Sequence, residues 1–137
     1  MSIDAITLAD ITFADWSLKL DAIGSVVQGI NDIDQCIAII LTTPQGSDPL
    51  RPTFGADLWQ FIDNPISVAV PSIVRQVTAA ITTWEPRVTL QSVSVTPAND
   101  DSSQAGAHLN VSVTWQLKLA GSSSQSRTTM LGVGGGL

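Results

Sequence analysis

Two segments of the chain carry apolar residues at the spacing of an amphipathic helix. The first predicts a helix over about 31–42, which Pro44 ends. Its apolar face consists of Ile33, Ile37, Ile40 and Leu41. The second predicts a helix that has Pro71 in its first turn and ends at Glu85, because the residue before Pro86 is pushed out of the helical region. Its apolar face consists of Val70, Ile73, Val74, Val77, Ala80, Ile81 and Trp84.

The segment between these helices is expected to be a long ordered loop. Residues 43–55 contain three prolines and two glycines, while Leu50 and Phe54 are apolar enough to hold the loop against the body of the protein. Ordered loops of this length often carry function. Residues 57–63 then predict a short helix or turn.

The second half of the chain shows the alternation of β-strands. Residues 109–119 alternate strictly between apolar and polar, which predicts a strand with one buried face. In the preceding strand Val88 and Leu90 are out of phase with Val93 and Val95, and such a slip is typical of a β-bulge. The polar stretch 97–107 predicts a hairpin loop between these strands, and residues 127–131 predict a last short strand.

These elements predict a single α+β domain over residues 1–137, with two main helices packed on one face of a three-stranded antiparallel meander. Residues 1–25 are expected to form an extended N-terminal arm. Within it, the weak alternation at 16–20 could supply an additional edge strand. Residues 132–137 are expected to form a flexible glycine-rich tail.

The composition narrows the possible partners. The chain has a net charge of −6 and a pI near 4.3, and its six basic residues are scattered singly, which argues against nucleic-acid binding. Only 13% of the residues are charged, which suggests a surface covered largely by partners. A single cysteine, an acidic N-terminus and no long unbroken apolar run predict a cytoplasmic protein without a membrane span.

No catalytic, metal-binding or cofactor-binding motif is found, so no enzyme activity is expected. A phosphate-binding loop, zinc-ligand spacing and a nucleophile elbow are all missing from the sequence. His108, the only histidine, adjoins the predicted hairpin loop and is interpreted as a solvent-exposed side chain. A glycosidase needs two carboxylates on either side of the bond that it cleaves, and Glu85 is the only glutamate.

The most distinctive segment is the corner formed by Trp84, Glu85, Pro86 and Arg87. Two interpretations remain open. The charged pair could form a local salt bridge, which would stabilise the protein by at most about 1 kcal/mol if exposed. Alternatively, the corner could present these charges to another subunit, where arginine is favoured for bidentate contacts.

Several segments together resemble a known family. They are the helix end at 40–43, Gly46, the segment Arg51-Pro52-Thr53-Phe54-Gly55, the second helix, and Glu85-Pro86-Arg87. In this order and spacing, over about residues 28–120, they resemble the small baseplate wedge subunits of contractile phage tails (the GPW/lysozyme-like wedge family). Relatives of that family occur in Mu-like and P2-like phages and in the type VI secretion baseplate. Here the loop is longer by residues 47–50, which precede Arg51.

The resemblance implies a structural virion protein of the tail baseplate, assembled in the bacterial cytoplasm. Its partners would be the larger wedge proteins, the tail sheath protein, and hub or tube-proximal proteins. The corner would contact the wedge proteins, and a free sheet edge at 127–131 or 16–20 would receive the first sheath ring. The partner-binding residues are then Glu85, Pro86, Arg87, Arg51, Phe54, Gly55 and Arg127.

Two alternatives belong to other classes of function. Some relatives of this family carry a lysozyme label, so one alternative is a peptidoglycan-cleaving enzyme. The other is a free-standing adaptor that binds a regulatory protein through the same fold.

Overall fold

The computed structural model describes residues 16–98, 108–118 and 126–134. The chain divides into two compact units, residues 1–36 and 37–137, with the boundary inside the helix α1 (Ile30–Thr42). Residues 99–107 of the predicted hairpin loop and the last three residues of the expected tail lie outside the described residues.

The first unit contains a small β-hairpin. Strand β1 (Trp16–Leu18) pairs antiparallel with β2 (Val26–Gln28) in a two-stranded sheet of its own. The prediction of a strand at 16–20 is therefore confirmed for Trp16–Leu18, but its suggested place on an edge of the meander is wrong. The reason is local: Gly24 adopts a positive φ of 76°, and the Lys19 N–H donates to the Ser25 carbonyl, so the chain reverses at once.

The amide of one glutamine holds this hairpin to the start of α1. Gln35 Nε2 donates to Ser17 Oγ over 3.1 Å and to the Leu18 carbonyl over 2.8 Å. Its Oε1 accepts the Leu20 N–H over 3.2 Å. One side chain thus fixes both the strand and the turn that follows it.

Helix α1 confirms the first helical prediction. It begins one residue early, directly after Gly29, whose φ is 62°. The predicted apolar face is buried throughout, at Ile33, Ile37, Ile40 and Leu41. Pro44 follows the end of the helix, as the sequence predicts.

Helix α2 (Ile66–Trp84) is longer than its apolar stripe predicts. It begins after Pro65, so Pro71 is its sixth residue and lies in the helix interior rather than in the first turn. By length and mean hydropathy, 1.2, α2 could cross a membrane, although core helices share this property. Its buried residues are Ala69, Ile73, Val77, Ala80 and Ile81. It packs against the first strand of the meander, as expected of a core helix.

The meander consists of β3 (Val88–Pro97), β4 (Leu109–Leu117) and β5 (Ser126–Val133), antiparallel and in that order. The predicted bulge is confirmed, because the register between β3 and β4 shifts between Leu90 and Ser92 and leaves Gln91 as the extra residue. The alternation of β4 is confirmed as well. Strand β5 continues to Val133, so the first two residues of the expected tail belong to a strand. The α+β class is confirmed.

Candidate docking site

A tight turn joins α2 to β3. The Glu85 N–H still donates to the Ile81 carbonyl over 2.9 Å and so completes the last turn of the helix. Pro86 cannot continue the helix, and the Val88 N–H returns to the Glu85 carbonyl over 3.5 Å. Pro86 occupies the second position of this turn, which its fixed φ suits. The Arg87 carbonyl then accepts the Lys118 N–H over 2.9 Å, which ties the turn to the end of β4.

Glu85 and Arg87 form a bidentate ion pair inside this turn. Arg87 Nε donates to one carboxylate oxygen over 2.6 Å, and Nη2 donates to the other over 2.8 Å. The Glu85 side chain is only 4% exposed, whereas the Arg87 side chain is 32% exposed and Pro86 lies at the surface. The carboxylate therefore faces the arginine, and the surface of the corner consists of Pro86 and part of Arg87.

The loop between the helices packs against the end of α2 through an aromatic pair. The Phe54 ring meets the Trp84 ring edge to face, with 5.2 Å between centroids and 75° between planes. The Arg51 guanidinium lies 4.1 Å from the centroid of the Phe54 ring, and Trp84 Nε1 donates to the Thr53 carbonyl over 3.2 Å. These contacts place Arg51 and Phe54 beside the residue that precedes Glu85.

The base of the loop closes on Gly55. The Ala56 N–H donates to the Thr43 carbonyl over 2.9 Å, and the Gly46 N–H donates to the Pro52 carbonyl over 2.9 Å. Gly55 has a φ of 105°, and a Cβ atom there would overlap the Thr43 carbonyl oxygen. The position therefore requires glycine for both its backbone angle and its space.

The additional residues 47–50 form an ordered turn organised by Asp48. Its carboxylate accepts the Leu50 N–H over 3.0 Å and the Arg51 Nε–H over 2.9 Å. The Leu50 N–H and then Arg51 hold the pKa of Asp48 below its usual value. Asp48 is not among the site residues that the sequence predicts, although an aspartate before a Pro-Leu pair is a recognisable signal for a turn closed by a carboxylate.

The structure thus brings together six of the seven predicted partner-binding residues and leaves one apart. Those that gather around the end of α2 are Arg51, Phe54, Glu85, Pro86 and Arg87, and Gly55 follows Phe54 at the base of the same loop, beside the Thr43 carbonyl. Arg127 lies instead on β5, opposite Trp115 of β4, which in turn lies opposite Leu90 of β3. Two strand spacings, roughly 10 Å, separate it from β3. Arg127 therefore belongs to the opposite edge of the sheet.

The carboxylate of the corner is already engaged by its neighbour. Both oxygens of Glu85 bind Arg87, so the carboxylate is not presented to a substrate as a general acid would be. Among residues 16–98, 108–118 and 126–134, no group of three or more His, Cys, Asp or Glu side chains could hold a metal ion. What the site presents is a rigid proline and a guanidinium held in one orientation.

Fold and site together define a small α+β protein whose corner between α2 and β3 is held by an internal ion pair. The chain belongs to the family of baseplate wedge protein gp25, which it matches over residues 27–121. It is 34% identical over 74 residues to baseplate wedge protein gp25 of Enterobacteria phage T4, and 37% identical over 78 residues to baseplate protein W of Escherichia phage P2. These alignments cover 53% and 56% of this chain. They span only 56% of the T4 protein and 68% of the P2 protein.

Solved structures share the fold at lower sequence identity. A chain of the anti-feeding prophage baseplate is 21% identical with a TM-score of 0.60, covering 77% of this chain and 82% of that chain. A tail lysozyme candidate from Geobacter sulfurreducens is 24% identical with a TM-score of 0.59, covering 74% of this chain and 87% of that chain. At such identities the likeness shows the fold alone, so the lysozyme name supports no hydrolase activity here.

Proposed function

We propose that this protein is a structural subunit of a contractile-tail baseplate, which docks on the larger wedge proteins through the corner Glu85-Pro86-Arg87. The observation that supports this proposal is the bidentate pair in which the buried Glu85 carboxylate fixes the partly exposed Arg87 guanidinium, while Pro86 stays exposed beside it. A fixed arginine loses little conformational entropy on binding, and arginine is frequent among the residues that dominate interfaces. Assembly would take place in the bacterial cytoplasm, next to hub or tube-proximal proteins.

The contact surface of the corner is narrower than its sequence suggests. Glu85 is too buried to reach a partner, so its role is to orient Arg87. The aromatic pair of Phe54 and Trp84, capped by Arg51, supports the same end of the helix. The partner would therefore contact Pro86, Arg87 and the exposed part of Arg51, while Glu85, Phe54 and Gly55 hold these residues in place.

The corner is tested by replacing Arg87 in a tail system that lacks its own copy of this subunit. Arg87→Ala is expected to give a folded protein, destabilised by about 1–3 kcal/mol because the Glu85 carboxylate loses its partner, that no longer supports tail assembly. The folded fraction is measured by circular dichroism and assembled tails are counted by electron microscopy. Arg75→Ala, an exposed arginine on α2, is the matched control and should assemble normally.

A charge swap separates an internal role from a docking role. The double variant Glu85→Arg with Arg87→Glu can restore an ion pair within the turn but presents the opposite charge to a partner. We expect it to remain unable to assemble tails even where thermal denaturation shows a folded chain. Normal assembly by the swapped protein, or by a chain with both residues replaced by alanine, would show that the corner does not dock.

The same proposal includes a sheet edge that receives the tail sheath, and β5 is the better candidate of the two meander edges. Strand β3 carries the bulge at Gln91 and ends at Pro97, both features that discourage pairing with another strand. Strand β5 keeps an uninterrupted register with β4 over eight residues. Its outward-facing Met130 is 74% exposed.

A photocrosslinking residue tests this edge. Introduced at Met130 in assembled tails, it is expected to capture the sheath protein, identified by mass spectrometry. The same residue introduced at Thr96 of β3 is the control and should not capture sheath. Capture of sheath at Thr96 but not at Met130 would assign docking to the other edge.

A further inference from the structure

A groove lies between α2 and β3, and neither of the two proposed contact surfaces, the corner and β5, makes use of it. It has a volume of about 480 Å³. Helix α2 contributes Val74, Thr78, Ile81 and Thr82, and β3 contributes residues 88–93. The walls carry apolar side chains and small hydroxyl groups. Such a surface suits an apolar side chain that arrives together with a backbone able to form hydrogen bonds.

The strand side of the groove is formed by the edge of β3 as well as by its inner face. Successive side chains of a strand point to opposite faces, so one face alone would contribute only every second residue. Here six consecutive residues line the groove, which places the strand's outer edge along it. Strand β3 pairs only with β4 among the described strands, and its outer edge is therefore open to a further strand.

The bulge limits how that edge can be used. It interrupts the ladder between Leu90 and Ser92, so a strand added to β3 can pair over only a few residues. Most of the affinity must then come from a side chain entering the groove. Such a short contact is most effective when the partner is already bound at a neighbouring site, because tethering raises the effective concentration of its segment at the groove. Val88, where the groove begins, directly follows the docking corner.

The charge of the groove selects among possible occupants. Among the residues that the structure describes, Lys118 is the only charged one that lines the groove, and its ammonium forms no ion pair with any of them. A single cation does not suit a nucleic-acid backbone, which requires several. It does suit one carboxylate placed beside an apolar side chain.

We propose that the α2–β3 groove binds an extended segment of the partner that docks at the corner, and that this segment carries an apolar residue flanked by a carboxylate. The identity of the partner rests on the proposed function. The chemistry of the segment rests on the groove itself. The segment adds a few residues to the edge of β3, places its apolar side chain between Val74 and Ile81, and pairs its carboxylate with Lys118.

Site-specific photocrosslinking in assembled tails tests both parts separately. A crosslinking residue at exposed Thr82 or Thr89 is expected to capture the same polypeptide as one at Pro86. Mass spectrometry should place the crosslink in a different segment of that polypeptide, one that contains an apolar residue flanked by a carboxylate. If Pro86 captures a wedge protein while Thr82 and Thr89 capture nothing, or capture a segment without a carboxylate, the groove proposal is wrong and the corner stands. If the crosslinker at Pro86 captures no wedge protein, the corner proposal is wrong. The groove proposal then stands only if Thr82 or Thr89 captures a segment with an apolar residue and a carboxylate.

The charge is tested at Lys118 in the same particles. Lys118→Glu is expected to reduce the crosslink yield at Thr82 by about threefold to fivefold, the factor that corresponds to the interaction energy of a partly exposed ion pair. Lys118→Met keeps most of the apolar stem and should give a smaller reduction. Arg75→Glu, which changes a cation outside the groove lining, is the control. Equal yields with lysine and glutamate at position 118 would refute the carboxylate.

Discussion

Replacing Trp115 with alanine is expected to lower the free energy of unfolding by about 3–5 kcal/mol, the largest loss that we expect from a single side chain. Trp115 lies in the central strand of the meander, is completely buried, and is among the largest of the fully buried side chains. Its indole N–H donates to Thr129 Oγ1 over 2.9 Å and so joins β4 to β5 inside the core. The alanine variant loses both the buried ring and this bond. Urea denaturation followed by circular dichroism measures the change.

Two further variants separate the ring from its hydrogen bond. Trp115→Phe keeps an aromatic ring but loses the indole N–H, and should cost about 1–2 kcal/mol. Thr114→Ala removes a neighbour on the outer face, which bonds Thr128 over 3.2 Å, and should cost less than about 1 kcal/mol. A loss for Trp115→Ala no larger than that for Thr114→Ala would mean that the alternation of β4 does not identify the core face.

The secondary structure could be predicted wherever one residue pattern determined it. The helical stripe of α1 and the strict alternation of β4 each have one buried face, so periodicity alone located them. The bulge could be predicted because a single extra residue reverses which side chains face inward, and the phases on either side of Gln91 show that reversal. These features depend on neighbours along the chain.

Features that depend on distant residues could not be predicted in the same way. The segment 16–20 has the composition of a strand, but its partner is set by a reversal at Gly24 and by the amide of Gln35. Nothing in the alternation of 16–20 distinguishes pairing with β2 from pairing with the meander. Likewise, a proline is typical of the first turn of a helix, so Pro71 predicted a start close to it. The helix in fact begins at Ile66, so Pro71 lies in its interior.

At the corner between α2 and β3 the sequence indicated a turn with a charged pair but not how exposed each member of the pair is. Pro86 and the charged residues Glu85 and Arg87 indicated a turn with a salt bridge. Only the structure shows that Glu85 is buried and Arg87 partly exposed, which makes one the support of the other. The stacking of Arg51, Phe54 and Trp84 joins residues some thirty positions apart. No local pattern encodes such a contact, although the ordered resemblance to wedge subunits pointed to both segments.

The second large effect is expected at Gly55, where the same substitution at another glycine of the loop provides a control. Gly55→Ala is expected to cost about 3 kcal/mol or more, because alanine at a φ of 105° is strained and its Cβ overlaps the Thr43 carbonyl oxygen. Gly46 also has a positive φ, 84°, but no atom lies within 4 Å of a Cβ placed there. Gly46→Ala should therefore cost only about 1 kcal/mol, the backbone strain alone. Thermal and urea denaturation of both variants measure the difference.

The consequence of Gly55→Ala should extend beyond stability to docking. Relieving the overlap requires the Thr43 carbonyl to move, which weakens its bond to the Ala56 N–H and loosens the loop that carries Phe54. The ring of Trp84 then loses its partner one residue before Glu85. At a temperature where both variants remain folded, Gly55→Ala should assemble fewer tails than Gly46→Ala. Equal assembly by the two would mean that the corner keeps its orientation without the loop, and that Arg51 and Phe54 are not needed to support it.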